Sequence, residues 1–177
     1  WEQVTLAEIH VLIGGATRKG KSNLLNLLVR QVARCYDAVI WVYDGKGGRF
    51  VRPWLKPWIN QDKDPNTDAP LAQPIFDWAS IDLTEFERIV DAGIELARER
   101  PKLSYTSGSG WTATREHPWV LILADELSEA AGENGAASGW VDKRHQVSTG
   151  AMQGKIARLL RLGAGEAPEP EVQAVAG

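Results

Sequence analysis

Apolar residues recur with two different periods along this chain, and the periods predict strands and helices in turn. Short β-branched and aromatic runs predict buried strands at residues 9–13, 37–44 and 119–124. Helical spacing of Leu, Ile and Val predicts helices over residues 21–33, 82–100 and 151–162. A weaker apolar run at residues 171–176 predicts a fourth strand.

The order of these elements favours an α/β fold. Strands that alternate with helices form parallel sheets with helices on both faces, because parallel strands need crossover connections. The segment between residues 49 and 80 has four prolines between Arg52 and Pro70 and a polar run, NQDKDPNTDAP, so we expect an irregular surface insertion there. Pro101 is expected to end the second helix. Residues 133–139 are expected to form a loop. Residues 163–177 are expected to form a link and the last strand of a single domain over 1–177.

Composition narrows the class of protein only slightly. An apolar fraction of 44%, a charged fraction of 24% and a net charge of −3 are typical of a globular protein. Nucleic-acid binding would therefore need a local basic patch. The lone Cys35 excludes an internal disulfide, and no apolar run is long enough to cross a bilayer. The start at Trp1 suggests a fragment, so we expect any membrane anchor or further domain outside this chain.

The most specific motif lies between the first predicted strand and the first helix. GATRKGKS fits the phosphate-loop pattern G-x-x-x-x-G-K-[ST] without exception. In such a loop the backbone N–H groups and the helix N-terminus surround phosphate oxygens. The alternative is a chance match in a glycine-rich turn. The pattern predicts nucleotide binding by Gly15, Ala16, Thr17, Arg18, Lys19, Gly20, Lys21, Ser22 and Asn23.

Individual roles follow from the chemistry of these side chains. Lys21 is expected to contact the β- and γ-phosphates of ATP, and the Ser22 hydroxyl to bind Mg²⁺. Arg18 and Lys19 occupy positions that the pattern leaves free. They either add positive potential near the phosphates or are solvated, and the second interpretation is favoured because the backbone already contacts the phosphates.

Two carboxylates follow the strand at residues 119–124. Asp125 suits a Mg²⁺ ligand and Glu126 suits a general base that activates the attacking water. Ligands of parallel α/β sheets lie at the carboxyl ends of the strands, where the phosphate loop is also expected. The alternative is a pair of acids that cap the next helix.

Other charged residues are less specific. Asp44-Gly45-Lys46 closes the second strand at the same predicted edge, and on physical grounds alone it is an ordinary turn. The basic residues after the third strand suit DNA phosphates or an arginine finger as well as a solvated helix face. They are Lys143, Arg144, Lys155, Arg158 and Arg161.

The run HVLIGGATRKGKSNLLNLLV resembles the start of the motor domain in the FtsK/SpoIIIE family of DNA translocases. The resemblance continues through IWVYDGKGGRFVRPW, the helix DLTEFERIVDAGIELARERPKL and the strand VLILADEL. It is closest to the actinobacterial TraB-like DNA-transfer proteins of conjugation. Two departures stand out: Arg18-Lys19 replaces a Gly-Ser pair of the family, and EVQAVAG lacks the family's γ-phosphate-sensing Gln.

The resemblance implies a RecA-like P-loop sandwich that hydrolyses ATP with Mg²⁺ as cofactor. It implies movement of double-stranded DNA through a hexameric ring on the cytoplasmic side, with membrane contact only through segments outside this chain. It assigns Mg²⁺ binding to Ser22 and Asp125 and catalysis to Glu126 and Lys21. It also implies that Asp44 and Lys46 are more than an ordinary turn, although it gives them no defined role. The alternatives are a nucleotide-dependent switch or assembly module and a small-molecule kinase.

Overall fold

The computed structural model of the protein describes residues 20–71, 73–107, 111–126 and 149–163. These ranges contain three strands and four helices. In chain order they are α1 (Lys21–Val32), β1 (Ala38–Asp44), α2 (Arg52–Ile59), β2 (Trp78–Ser80), α3 (Leu83–Ser107), β3 (Trp119–Asp125) and α4 (Thr149–Gly163). The strands predicted at 9–13 and 171–176 and the loop predicted at 133–139 lie outside the described residues.

The three strands form a parallel sheet in the order β2-β1-β3. β1 pairs with β3 along its whole length, from Ala38 opposite Trp119 to Asp44 opposite Asp125. Its other edge pairs with the short β2 between residues 41 and 43. A parallel sheet combined with helices agrees with the predicted α/β class. No helix in the described ranges is long and apolar enough to cross a membrane.

Strand β1 separates two hydrophobic clusters because successive side chains of a strand point to opposite faces. Ile40 and Val42 are buried on the face that α1 and α2 cover. The side chain of Tyr43 lies on the other face with residues of α3 and α4. The first cluster comprises Leu25, Val29, Ile40, Val42, Phe50, Val51, Phe76 and Leu123. The second comprises Tyr43, Phe86, Ile89, Val90, Ile94 and Met152.

Most predicted boundaries agree with the structure to within one or two residues. α1 and β1 each lack one terminal residue of the predicted range, whereas α4 extends two residues further at its start and one at its end. α3 begins after Asp82, whose Oδ1 accepts the Glu85 N–H at 3.0 Å, as an N-cap aspartate does.

Two local expectations differ from the structure. Residues 52–59, inside the segment expected to be irregular, form α2, with Pro53 in the first turn, where a helix needs no N–H donor. Pro101 does not end α3, which continues to Ser107. The preceding residue, Arg100, has its guanidinium 4.3 Å from the ring of Trp111 and donates to the Pro118 carbonyl. These contacts hold α3 against the chain that leads into β3.

Candidate functional site

Two aspartates end neighbouring strands at one edge of the sheet. Asp44 and Asp125 are register partners, and both are buried. Beyond the last pair, the Gly45 N–H donates to the Asp125 carbonyl at 3.1 Å, which extends the contact between the strands by one residue. The carboxyl ends of β1 and β3 therefore lie side by side. The sequence predicts that both ends lie at the same edge of the sheet, but not that the two strands are neighbours.

Asp44 organises the loop that follows β1. Its Oδ1 accepts the Lys46 N–H at 3.0 Å, and its Oδ2 accepts the N–H groups of Phe50 and Val51 at 2.7 and 3.2 Å. Its side chain is fully buried, so these three donors replace water around the carboxylate. The loop is thereby fixed at both ends, and α2 starts directly after it.

Lys46 connects the two strand ends through its side chain. Its ammonium forms an ion pair with the Glu126 carboxylate and lies 3.8 Å from Asp125 Oδ1. The pKa of Lys46 is raised, mainly by its hydrogen bond with Glu126. Burial is the next largest effect and opposes this rise, while the charges of Asp125, Glu126 and Asp44 each add a lesser rise. This corner of the sheet thus attracts a cation.

Glu126 has an unusual backbone conformation for a residue with a side chain. Its φ of 64° is in the left-handed region, which costs about 1 kcal/mol or more outside glycine. The neighbouring strand end also approaches closely: a Cβ on Gly45 would lie 3.3 Å from the carbonyl oxygens of Asp125 and Glu126. The Glu126 carboxylate is therefore directed by a strained turn packed against a glycine.

The start of α1 contributes the described part of the phosphate-loop sequence. Gly20 has a φ of 89° and precedes α1, and no side chain caps this helix end within the described residues. Lys21, Ser22 and Asn23 form the first turn, with Lys21 half-buried and the other two exposed. Gly15, Ala16, Thr17, Arg18 and Lys19 lie outside the described residues.

A hydrogen bond joins α1 to the start of α2. The Asn26 Oδ1, one turn further along α1, accepts the Trp54 indole N–H at 2.8 Å. Trp54 lies in the first turn of α2, which starts from the loop bonded to Asp44. The middle of α1 therefore lies beside the start of α2, next to the loop that follows β1.

The predicted Mg²⁺ pair fits the donor chemistry of this region, because carboxylate and hydroxyl oxygens are ligands that Mg²⁺ prefers. The Lys46 ammonium already forms ion pairs with Asp125, the last residue of β3, and with Glu126, the residue after it. Within the described ranges, no cluster of three or more His, Cys, Asp and Glu side chains could hold a metal. The joint role of Ser22 and Asp125 stays a prediction.

The basic residues of α4 have different surroundings. The Lys155 ammonium bonds to Glu87 and Asp91 of α3 at 2.7 and 2.8 Å. These two hydrogen bonds raise the pKa of Lys155, and the bond with Asp91 contributes most. Lys155 therefore holds two helices together. Arg158 is half-buried and Arg161 exposed, whereas Lys143 and Arg144 lie outside the described residues.

No family model, curated protein or solved structure matches this chain. The similarity to FtsK/SpoIIIE motor domains accordingly remains a resemblance carried by short motifs. The chemistry of the strand ends is then the physical basis for a functional hypothesis.

Two sets of contacts at this edge were not predicted from the sequence: the hydrogen bonds between the Asp44 carboxylate and the following loop, and the ion pair between Lys46 and Glu126. Sequence reasoning gave Asp44 and Lys46 no defined role, although the Asp-Gly-Lys-Gly-Gly run after a buried strand is a signal of a tightly turned backbone. Which strand lies next to β1 decides whether Lys46 can contact Glu126, and the sequence does not show strand neighbours.

Proposed function

We propose that this chain is an ATP-binding and ATP-hydrolysing motor domain that acts on double-stranded DNA. The observation that carries the proposal is the position of Asp125 and Glu126 beside the carboxyl end of β1, at one edge of a parallel sheet. In parallel α/β sheets this edge is where ligands bind.

The proposed roles follow the chemistry of each side chain. The N–H groups at the start of α1 and the Lys21 ammonium would bind the phosphates of ATP, since helix N-termini and cations both attract anions. Ser22 and Asp125 would hold Mg²⁺, which supplies charge neutralisation on the phosphate oxygens. Glu126 would accept a proton from the attacking water.

The DNA substrate, the hexameric ring and the cytoplasmic location are supported by the resemblance to FtsK/SpoIIIE motors. Among the basic residues expected to contact DNA, Lys155 is paired with two carboxylates of its own chain, so it is a weak candidate for phosphate contact. Arg158 and Arg161 share one face of a helix, an arrangement that suits contact with neighbouring phosphates.

A second candidate function is a nucleotide-dependent switch without motor action. The ion pair between Lys46 and Glu126 favours it, because a carboxylate bound to an ammonium is a poor proton acceptor. The two candidates share the nucleotide site and differ in hydrolysis and in the response to DNA.

Two assays test both candidate functions: the binding of a fluorescent ATP analogue and the release of inorganic phosphate from ATP. We expect Lys21→Ala to weaken ATP binding by about tenfold to a hundredfold, the value of a charge-assisted hydrogen bond. Lys63→Ala is the control, since Lys63 pairs with Asp68 in a distant loop. Glu126→Gln should retain ATP binding and lose about a hundredfold or more in hydrolysis rate.

Duplex DNA then separates a motor from a switch. A motor hydrolyses ATP faster when duplex DNA is present, and the increase disappears in Glu126→Gln. Hydrolysis that is indifferent to duplex DNA refutes the motor and leaves the switch. Equal ATP binding by Lys21→Ala and Lys63→Ala refutes the nucleotide site itself.

A further inference from the structure

We propose that a row of exposed basic side chains at the start of α2 binds the phosphates of duplex DNA. The inference rests on the proposed function, whose DNA substrate it concerns. The row, named the α2 basic surface, consists of Arg49, Arg52 and Lys56, and all three are exposed. The whole chain carries a net charge of −3, so contact with DNA needs a local positive surface of this kind.

Charge pairing distinguishes the α2 basic surface from much of the remaining basic surface. Many of the other described cations form ion pairs with carboxylates of the chain, namely Lys46, Lys63, Arg88, Arg98, Lys102 and Lys155. Within the part of the chain that the structure describes, Arg49, Arg52 and Lys56 take part in none of these pairs. Phosphates can therefore approach their charges without displacing a carboxylate of the protein.

Helical geometry places the three cations along one side of the chain. Arg52 and Lys56 are four residues apart in α2, so they share a face and lie about 6 Å apart along the axis. The turn that contains Arg49 is closed by a hydrogen bond of 2.9 Å from the Arg52 N–H to the Gly48 carbonyl. A Cβ on Gly48 would lie 3.1 Å from the Arg52 Nε, so the Arg52 side chain lies back along this turn.

The same face of α2 is directed away from α1. Trp54 donates to Asn26 of α1 and, with Leu55, packs against the first cluster. Arg52 and Lys56 each lie two positions from Trp54, which is about 200° around a helix. They are therefore on the solvent side, whereas Trp54 and Leu55 are held inside the protein. This arrangement suits a partner that offers charges more than one that offers an apolar surface.

The backbone of this segment is fixed to the sheet. Phe50 and Val51, which separate the first two cations of the row, donate their N–H groups to the buried Asp44 carboxylate. A surface that is already held in place loses little conformational freedom when it binds, which favours affinity. The loop that Asp44 holds also carries Lys46, the partner of Glu126, so DNA bound here would lie one short loop away from the candidate site.

Fluorescence anisotropy with a short labelled DNA duplex, measured at several salt concentrations without nucleotide, tests the inference. We expect the double variant Arg52→Gln with Lys56→Gln to bind the duplex about tenfold more weakly than the unaltered chain. The slope of log affinity against log salt concentration should fall by about 2, because each lost phosphate contact removes about 0.9. Glutamine has nearly the helix propensity of arginine and lysine, so α2 should persist. Arg49→Gln lies outside α2 and should lower the slope by about 1, which keeps the test valid if the double variant does not fold.

The double variant Arg88→Gln with Lys102→Gln is the matched control. It also removes one arginine and one lysine, each with a side chain that is 69% exposed, from α3 on the other face of the sheet. Its affinity for the duplex should stay within about twofold of the unaltered chain. If the α2 double variant and Arg49→Gln both bind the duplex as this control does, the inference is overturned while the proposed function stands.

Anionic vesicles that contain phosphatidylserine are the competing partner, because Trp58 and Ile59 are exposed in the last turn of α2. Binding to these vesicles in preference to the duplex overturns the inference. Failure of the unaltered chain to bind the duplex overturns the inference and the DNA motor together. ATP binding, tested with Lys21→Ala, is measured separately and should be unchanged in the variants of the α2 basic surface.

Discussion

Replacing Asp44 by asparagine, a side chain of nearly the same size and shape, should strongly destabilise this protein. The carboxylate is fully buried and accepts three backbone N–H groups, one on Oδ1 and two on Oδ2. Asparagine has only one acceptor oxygen, so its NH₂ group must face at least one of these donors. The variant loses the charge on all three bonds and leaves a buried donor unpaired.

The expected loss is about 3 kcal/mol of unfolding free energy, since one unsatisfied buried donor alone costs about 1–3 kcal/mol and bonds to a charged acceptor are stronger than neutral ones. For a chain of this size that corresponds to a fall in melting temperature of about 6–12 °C. Urea unfolding followed by fluorescence measures it, because the chain has eight Trp residues. An unchanged denaturant slope shows that the folded state is retained.

Asp64→Asn is the matched control for this measurement. Asp64 also accepts two backbone N–H groups, of Asn66 and Thr67, but both bond to Oδ1 and the loop is exposed. Asparagine can keep both bonds there, so the change should cost less than about 0.5 kcal/mol. If Asp44→Asn costs no more than Asp64→Asn, the three bonds to Asp44 do not stabilise the loop and the argument is wrong.

Two further predictions concern stability. Urea unfolding should show Glu126→Gly to be more stable than Glu126→Ala by about 1 kcal/mol. Both variants lose the carboxylate, but only alanine keeps a Cβ at a φ of 64°. Equal stability of the two variants would contradict the left-handed turn. Lys155→Met should lower stability by about 0.5 kcal/mol at neutral pH and low salt. The folded-state pKa of Lys155 is raised above its ordinary 10.5, so its contribution is complete below that pH and disappears as the pH rises through the folded value. A difference between Lys155→Met and the unaltered chain that grows above pH 10.5 would contradict this sign.

The elements that the sequence predicts well are those whose signal is local. β1 and β3 are apolar runs of six residues that stop at an aspartate, and a parallel strand that is covered on both faces requires this pattern. α1 shows its inward face through Leu25 and Val29, which are both buried. Boundaries for these elements therefore follow from composition and spacing alone.

The elements that the sequence predicts poorly depend on contacts with distant residues. α2 contains two prolines and only eight residues, so local propensity argues against it. Its Trp54 bonds to Asn26 and packs against the first cluster, and these contacts favour the helix. α3 continues past Pro101 where Arg100 contacts Trp111. Neither partner is visible from the local sequence.

The candidate site also combines features that the local sequence predicts with features that depend on distant contacts. That Asp125 and Glu126 follow a strand, and that this edge carries ligands in parallel sheets, could be predicted from the sequence. The contact between Lys46 and Glu126 could not, because it requires that β1 and β3 be neighbours with Asp44 opposite Asp125. The phosphate-loop residues 15–19 stay a prediction.

The bonds to Asp44 also determine where the chain can change its length. Phe50 follows Asp44 by six positions, and the one Asp44 carboxylate accepts backbone N–H groups from both Lys46 and Phe50. An inserted or deleted residue in this loop would move either Lys46 or the start of α2 away from its partner. Residues 60–70, by contrast, are mostly exposed and carry no part of the two clusters. Natural variation in length is therefore expected to accumulate after α2 and to be excluded between β1 and α2.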